Sequence, residues 1–245
     1  MATLYDQIGH GYAQQRKTDP RIYSLIRNSL QGCASVINVG AGTGSYEPWD
    51  LPVIAVEPSL QMIEQRAERV NVVQAVADAL PFPDAAADAV MAILTIHHWG
   101  DRKKGLEECA RVARKQVTLL TWDPASEGFW LVQQYFPDII ALDRTIFPTM
   151  DEIRSVFGKV TVLPVPIPAD CEDGMLGAYW QRPAEYLKAS ARSGMSSFSR
   201  IQDVATPIAE LRRDIESGTW PQRHANLLEQ GTLDIGYRLV TATFQ

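Results

Sequence analysis

The sequence predicts an α/β fold in which a doubly wound, mostly parallel sheet of seven strands carries a helical, aromatic cap. Short apolar segments rich in branched residues recur along the chain with helical segments between them, which favours alternating strands and helices. One such strand runs into a glycine-rich turn, and another is a near-continuous apolar run typical of a strand buried on both faces. The predicted strands are 36–39, 53–56, 72–78, 88–99, 116–123, 160–165 and 233–243.

The chain before the first strand contains two different pieces. Residues 6–16 are interrupted by glycines, and Tyr12 and Arg16 lie about one helical turn apart, so one helix face could present both side chains. A helix is predicted from about Pro20 to Leu30, because its apolar residues repeat at helical spacing. The apolar stripe consists of Ile22, Leu25, Ile26 and Leu30.

The turn after the first strand is the most informative segment of the chain. Branched residues within 36–39 favour a buried strand, and Gly40, Gly42 and Gly44 permit positive φ and a close approach of ligand to backbone. A dinucleotide fingerprint would need glycine where Ser45 stands, and a P-loop would need a Lys-Ser/Thr pair that is missing here. The spacing therefore favours a nucleoside cofactor over pyrophosphate or triphosphate, with a purely structural turn as the alternative.

Acidic residues follow two of the predicted strands. Glu57 ends the second strand, where a carboxylate can accept hydrogen bonds from both hydroxyls of a ribose. The alternative is that Glu57 only caps the helix that starts at Pro58. Asp78 ends the third strand, before a loop that contains Pro81 and Pro83, and by itself it fits an ordinary turn aspartate equally well.

The fourth predicted strand ends in a polar tip that contains Thr95, His97 and His98. Ligands of doubly wound sheets bind outside the carboxyl ends of the strands, so this tip should border the site. If the two histidines are extended, they point to opposite faces and at most one of them faces a cofactor. Either histidine could act as a general base near neutral pH, and the alternative is that both only pack or form hydrogen bonds.

The fifth strand and the segment after it supply candidates for a substrate site. Trp122 and Asp123 end the strand, and this carboxylate could orient or deprotonate a substrate or simply form the following turn. Aromatic residues are concentrated from 129 to 137 beyond what a connecting loop requires, which predicts a lid. Trp130 in this lid and Tyr179 in a later helical stretch are candidates for contact with a flat organic substrate.

The second half of the chain returns to the sheet twice. A helix over 149–157 begins with Thr149 as N-cap and Glu152 at the capping-box position, and it precedes the sixth strand. The seventh strand follows a long, mixed segment without a chemical motif. The predicted units are a single domain, 1–245, an N-terminal cover, 1–20, and two cap insertions, 124–150 and 167–232.

Composition argues against several classes of function. With 245 residues and 46% hydrophobic composition, the chain can bury one large core. A net charge of −6 without a dense basic block argues against nucleic-acid binding. The first residues lack a leader pattern and no apolar run is long enough to span a membrane. The scattered cysteines predict a reducing cytoplasm, without disulfides or structural metal. They are Cys33, Cys109 and Cys171.

The order of these motifs resembles that of the class I S-adenosylmethionine-dependent methyltransferases, in particular the small-molecule, type 11-like members with a Rossmann-like fold. The resemblance implies S-adenosylmethionine as cofactor, with Glu57 on its ribose and Asp78 on its adenine amino group. It also implies that the Ala79 N–H faces a ring nitrogen of the adenine and that Met62 packs on the adenine face. Arg16 would pair with the carboxylate of the cofactor.

The residue patterns and the resemblance together give candidates for three roles. The implied cofactor-binding residues are Tyr12, Arg16, Asn38, Gly40, Ala41, Gly42, Gly44, Glu57, Pro58, Met62, Asp78, Ala79 and Thr95. The catalytic candidates are His97, His98 and Asp123, and the candidates for contact with the acceptor are His97, Trp122, Trp130 and Tyr179.

One position departs from the family pattern. The family usually carries an acid two residues before the first glycine of the loop, whereas this chain has Asn38. An amide can replace some hydrogen bonds but supplies no charge, so cofactor binding should lean more on the loop, Tyr12 and Arg16.

The expected function is transfer of a methyl group from S-adenosylmethionine to an oxygen or nitrogen atom of a small organic acceptor, with carbon as a lesser alternative. Such a step can proceed by alignment and desolvation without a base. The expected partners are a small acceptor and a second copy in a homodimer, with no nucleic acid and no membrane. A non-catalytic module that binds S-adenosylmethionine and a nicotinamide-dependent oxidoreductase are the two rival functions.

Overall fold

The computed structural model describes residues 15–67 and 71–244, and Tyr12 lies outside these ranges. The strands are β1 (Val36–Val39), β2 (Val53–Val56), β3 (Val72–Val73), β4 (Ala87–Ile93), β5 (Ala113–Trp122), β6 (Thr161–Pro164), β7 (Ile167–Pro168), β8 (Thr232–Leu233) and β9 (Tyr237–Thr243). The α-helices are α1 (Pro20–Ser29), α2 (Leu60–Glu64), α3 (Arg102–Val112), α4 (Pro137–Ile146), α5 (Met150–Phe157), α6 (Ala189–Ser193), α7 (Ala205–Glu216), α8 (Thr219–Arg223) and α9 (Ala225–Leu228).

Seven strands form one sheet in the order β3-β2-β1-β4-β5-β9-β6. The first five strands of the chain pair in parallel, and β9 runs antiparallel to both β5 and β6. All four residues of β1 are buried, as expected for a strand with helices on both faces. The doubly wound, mostly parallel sheet predicted from the sequence is thereby confirmed. Strands β7 and β8 form a separate two-stranded sheet.

Two strands are shorter than predicted. Strand β3 covers only Val72–Val73, because it lies at the sheet edge and the chain leaves β2 after two paired residues. Strand β4 ends at Ile93, since Leu94 adopts a positive φ of 52° and the chain turns into a 3₁₀ helix over Ile96–His98. The expectation of an extended chain through the two histidines is therefore wrong.

Helix starts follow their capping signals. Asp19 caps α1 by accepting the Arg21 N–H. The predicted capping box of α5 is present, with Thr149 and Glu152 each accepting the other's backbone N–H. The apolar stripe of α1 is narrower than predicted, because Leu25 is 38% exposed while the other three members are buried.

The segments after β5 and β6 pack together as one aromatic cap. Trp130 donates its indole N–H to the Trp180 carbonyl at 2.7 Å, and Trp180 donates to the Ile167 carbonyl at 3.0 Å. Trp130 also meets Trp220 edge to face, with ring centroids 5.1 Å apart. The satisfied indole N–H groups of Trp130 and Trp180 hold these segments of the cap together. The division of the chain into cover, domain and insertions stays a prediction.

The described residues also bear on cysteine chemistry and on membranes. Cys33, Cys109 and Cys171 are buried free thiols. Across 15–67 and 71–244, no helix has the length and apolarity to cross a bilayer. Within the same ranges, no group of three or more His, Cys, Asp or Glu side chains is placed to hold a metal ion.

Candidate functional site

The glycine turn follows β1 at the carboxyl edge of the sheet. Gly40, Gly42 and Gly44 have φ values of 69°, 53° and 95°, which explains why glycine is needed at each. The N–H groups of Gly40 and Ala41 both donate to the Val56 carbonyl, at 2.8 and 3.0 Å. These bonds hold the turn against β2 and leave its backbone facing a cavity.

Space also requires glycine at position 40. A methyl group built there would overlap the side chain of Thr95, which is buried at the tip after β4. A methyl group at Gly42 would come within 3.4 Å of Met62 Cε. Thr95 and Met62 therefore shape the cradle formed by the glycine turn.

Glu57 joins the turn to the helix that follows β2. Its carboxylate is only 5% exposed and accepts the Gly42 N–H at 2.8 Å and the Ser59 N–H at 2.9 Å. The alternative reading, that this acid supports the helix start, is thus part of its role. Each carboxylate oxygen can accept more than one hydrogen bond, so ribose hydroxyls remain compatible with this geometry.

The turn, β4 and the chain before α1 line a pocket with about 480 Å³ of empty space, partly open to solvent, which we call the loop cavity. Its lining includes six of the predicted cofactor-binding residues and one predicted catalytic candidate. The lining residues are Arg16, Ala41, Gly42, Thr43, Ser45, Tyr46, Glu57, Met62, Ile93, Leu94, Thr95 and His98. Of the predicted cofactor-binding residues that the structure describes, those outside this lining are Asn38, Gly40, Gly44, Pro58, Asp78 and Ala79.

The structure places Asp78 and Ala79 in a turn after the short β3. Asp78 is half-buried and Ala79 is exposed, with its N–H 3.3 Å from the Val76 carbonyl. Their contact with an adenine stays a prediction.

Asn38 is hydrogen-bonded to a charged side chain that the sequence did not predict at this place. Its amide donates to Glu47 at 2.9 Å, and Glu47 pairs with Arg66 at 2.6 Å. Arg66 donates in turn to the Gly42 carbonyl at 3.2 Å. The carboxylate beside the turn is therefore Glu47, which comes into place only when the loop folds back on β1.

A second pocket, the cap cavity, lies between the strand tips and the aromatic cap and has about 670 Å³ of empty space, partly open to solvent. It shares Arg16 and Leu94 with the loop cavity, so the two spaces meet at these side chains. Its lining residues are Arg16, Leu94, His97, Trp122, Gly128, Phe129, Val132, Ile140, Asp143, Phe147, Met175, Leu176, Gly194, Met195, Ser196, Ser197, Ile235 and Tyr237.

The two histidines face different cavities, and their ring centroids are 3.8 Å apart. His97 stacks on Phe147 at 4.1 Å in the cap cavity, and His98 lines the loop cavity. Arg200 approaches His98 Nδ1 at 3.0 Å, and because a guanidinium only donates, Nδ1 accepts and the ring proton sits on Nε2. His97 Nδ1 is buried and forms no hydrogen bond with any of the described residues.

Burial and nearby positive charge keep both rings neutral. Desolvation and Arg200 lower the pKa of His98 to about 3. Desolvation, with the neighbouring His98, holds the pKa of His97 well below its usual value. Since an efficient general base has a pKa near the working pH, these rings are weak bases at neutral pH.

Of the four remaining candidates for catalysis or for contact with the acceptor, one lines the cap cavity and three do not. Trp122 lines the cap cavity and is fixed by an indole hydrogen bond of 2.8 Å to the Ile235 carbonyl. Asp123 instead accepts the Ala125 N–H at 3.0 Å and forms the turn, the alternative reading of this residue. Trp130 is buried in the core of the cap, and Tyr179 lies beside Arg182, so neither belongs to the cavity lining.

Arg16 lines both cavities, yet its guanidinium is already paired. Its Nε lies 2.6 Å from Asp173 Oδ1 and its Nη2 lies 3.0 Å from Oδ2. Tyr46 donates its hydroxyl to the same Asp173 carboxylate at 3.0 Å. The partner that the structure shows for Arg16 is thus Asp173, and its predicted contact with a cofactor carboxylate stays a prediction.

Sequence reasoning missed a buried carboxyl group in the cap cavity. Asp143 lies on α4, is 5% exposed and accepts the Ser197 hydroxyl at 3.2 Å. Burial raises the pKa of Asp143 to about 7. Its helix carries polar neighbours, so no local pattern distinguishes this aspartate from a solvent-facing one.

Comparison with known proteins identifies close structural relatives. A family model described as a methyltransferase domain matches residues 37–121. A crystal structure described as a methyltransferase from an antibiotic biosynthesis pathway of Anabaena variabilis is 31% identical. The match covers 95% of this chain and 100% of that one, with a TM-score of 0.86.

Curated relatives match over shorter stretches. An uncharacterised methyltransferase of Bacillus subtilis is 28% identical over 45% of this chain and 45% of its own length. The 2-methyl-6-phytyl-1,4-hydroquinone methyltransferase of Spinacia oleracea is 24% identical over 72% of this chain and 55% of its own length. The chain thus spans about half the length of these two relatives.

Replacing Gly40 by alanine should destabilise the protein more than replacing Gly32. Both glycines have positive φ. An added Cβ at Gly40 would overlap the Thr95 side chain, whereas an added Cβ at Gly32 would have no atom within 4 Å. We expect a cost of about 1 kcal/mol for Gly32→Ala and about 3 kcal/mol for Gly40→Ala in urea denaturation. Equal costs would contradict the role assigned to Thr95.

The stability of the Asp143→Asn variant, measured relative to that of the wild type, should be higher at pH 8 than at pH 4. The folded-state pKa of Asp143, about 7, is raised above its ordinary value. The contribution of the Asp143 carboxyl group to stability is therefore fully present below about pH 4, and it is lost as the pH rises through 7. The stability difference between variant and wild type should grow by on the order of 2–4 kcal/mol over this range.

The matched control for this measurement is Asp138→Asn, on the exposed face of the same helix. Because this side chain is exposed, its replacement shows what the change from a carboxyl to an amide on this helix does by itself. A stability difference for Asp143→Asn that does not change with pH would mean that this carboxyl is not desolvated.

Proposed function

The chain belongs to the class I S-adenosylmethionine-dependent methyltransferases, and from this premise we propose that it transfers a methyl group to an oxygen or nitrogen atom of a small organic acceptor. The observation that carries the proposal is the junction of two cavities at Arg16 and Leu94. One cavity is walled by backbone of the glycine turn and the other by aromatic side chains. A cofactor and an apolar acceptor could thus meet at one point.

The residues of the loop cavity fit S-adenosylmethionine. The glycine turn lines the cavity through Ala41, Gly42 and Thr43, so a ligand there lies against this turn. Glu57 supplies acceptors for ribose hydroxyls, and Met62 supplies an apolar surface for a ring. When bound, the cofactor supplies an electrophilic methyl group on a sulfonium. Tyr12, Asp78 and Ala79 remain proposed contacts at its other groups.

The side chains at the junction are suited to align an acceptor and to limit water. His97, Phe147 and Trp122 pack together in the cap cavity and present ring surfaces to an acceptor. Neutral imidazoles add no positive charge where a sulfonium would bind. We therefore favour alignment and desolvation over base catalysis by either histidine.

The other expectations about partners and location also stand as proposals. A net charge of −6 supports the absence of a nucleic-acid partner, and the free, buried cysteines are compatible with a reducing cytoplasm. The homodimer also stays a proposal.

Binding of S-adenosylhomocysteine, measured by calorimetry, should weaken by about tenfold or more in Glu57→Gln. An amide at this position turns an N–H toward the Gly42 or Ser59 N–H, so one of these two bonds is lost. Glu107→Gln, an exposed change on α3, should leave the affinity unchanged.

Binding and labelling experiments on the wild-type protein also distinguish the proposed function from its two rivals. If titration with S-adenosylhomocysteine releases no heat and a nicotinamide cofactor binds tightly, the result would favour the oxidoreductase. Cofactor binding without transfer of labelled methyl to any fraction of a cell-metabolite extract would favour the non-catalytic module. Label found in a small-molecule fraction supports methyl transfer.

Replacing His97 or His98 by glutamine, one at a time, should leave the shape of the pH–rate profile unchanged between pH 6 and 9. Both rings are neutral throughout this range, so neither contributes a titration. The control is His224→Gln, in the core of the cap. If an acidic limb of the profile disappears in one variant only, that histidine is the general base.

A further inference from the structure

The cap cavity contains a carboxylate with an unused acceptor. Asp143 Oδ1 accepts the Ser197 hydroxyl at 3.2 Å, and none of the described residues donates a hydrogen bond to Oδ2. A buried carboxylate with a single neutral donor is poorly compensated for the loss of water. A donor supplied by a ligand would correct this deficit.

The other ionisable groups in the same wall are already satisfied or neutral. Arg16 is paired through two hydrogen bonds with Asp173. Tyr237 donates its hydroxyl to the Leu176 carbonyl at 2.8 Å, and burial keeps His97 uncharged. Of the ionisable side chains that the structure describes in this wall, Asp143 is the one whose charge lacks a counter-charge within ion-pair distance.

Aromatic rings form much of the surrounding surface. Trp122, Phe129, Phe147 and Tyr237 all line the cap cavity with Asp143. The faces of aromatic rings attract cations, and a cation next to a carboxylate gains a charge-assisted hydrogen bond as well. An apolar molecule with one positively charged nitrogen matches both features.

We propose that the acceptor carries a basic nitrogen, protonated in solution, whose ammonium group binds Asp143 in the cap cavity. The inference rests on the proposed function, since it assigns the cap cavity to the acceptor. It concerns recognition of the acceptor only and assigns no atom as the site of methylation.

Other ligand classes fit this wall less well. An acidic acceptor would place a second negative charge near Asp143, while Arg16 is occupied by Asp173. A neutral acceptor could satisfy only a hydrogen bond. The cation of the cofactor is a separate candidate, but Asp143 lines the cap cavity and is absent from the lining of the loop cavity.

Titration of Asp143 supports the same assignment. Burial raises its pKa to about 7, and the nearby Arg200 acts in the opposite direction. The charged or titratable groups that share its cavity are Arg16, His97 and Tyr237. Because only the ionised carboxylate pairs with an ammonium, amine affinity should rise from pH 6 to pH 8.

The experiment compares phenylalkylamines with the phenylalkanols of equal chain length, by calorimetry in the presence of saturating S-adenosylhomocysteine. At pH 8, the amine of each pair should bind about tenfold more tightly than its alcohol. Asp143→Asn should remove this preference, and the matched control Asp138→Asn should retain it. The wild-type pH dependence gives a second measurement that needs no variant.

Several results would overturn the inference. These are equal binding of amines and alcohols, no binding of either, a preference that survives in Asp143→Asn, or wild-type amine affinity that does not rise with pH. Weaker binding of S-adenosylmethionine, but not S-adenosylhomocysteine, in Asp143→Asn would assign the carboxylate to the cofactor instead. If S-adenosylhomocysteine itself fails to bind the wild-type protein, the proposed function fails before this inference is reached.

Discussion

The buried ion pair between Arg16 and Asp173 connects the parts of the molecule that form the site. Arg16 belongs to the chain before α1, Asp173 to the cap, and Tyr46 at the end of the glycine turn donates to the same carboxylate. Removing one member of a buried pair leaves an uncompensated charge, which costs far more than the pair itself contributes. Since Arg16 lines both cavities, this pair determines where they meet.

Charge around the two cavities follows one physical rule, that a buried ion needs a partner. Glu47 and Arg66 satisfy each other beside the glycine turn, and Glu57 is held by backbone N–H groups. The two histidines meet the same constraint by remaining neutral. Asp143 departs from this pattern, which is why it points to a ligand.

Patterns that depend on neighbouring residues were predicted well. The glycine spacing, the strand before it and the capping box of α5 each reflect local backbone requirements, and each is present in the structure. Errors arose where the backbone turned without a sequence pattern. A positive φ at Leu94 ends β4 early, so the alternation of side chains along a strand does not apply to the histidines.

The sequence alone determined the fold class, the glycine turn and the acid at the end of β2, because strands, turns and caps are governed by residues close in the chain. Only the tertiary structure decided which side chains share a cavity. Arg16 and Asp173 are 157 residues apart, and Ser197 and Asp143 are 54 apart. Contacts of this kind depend on how the cap packs against the sheet, and no local spacing encodes them.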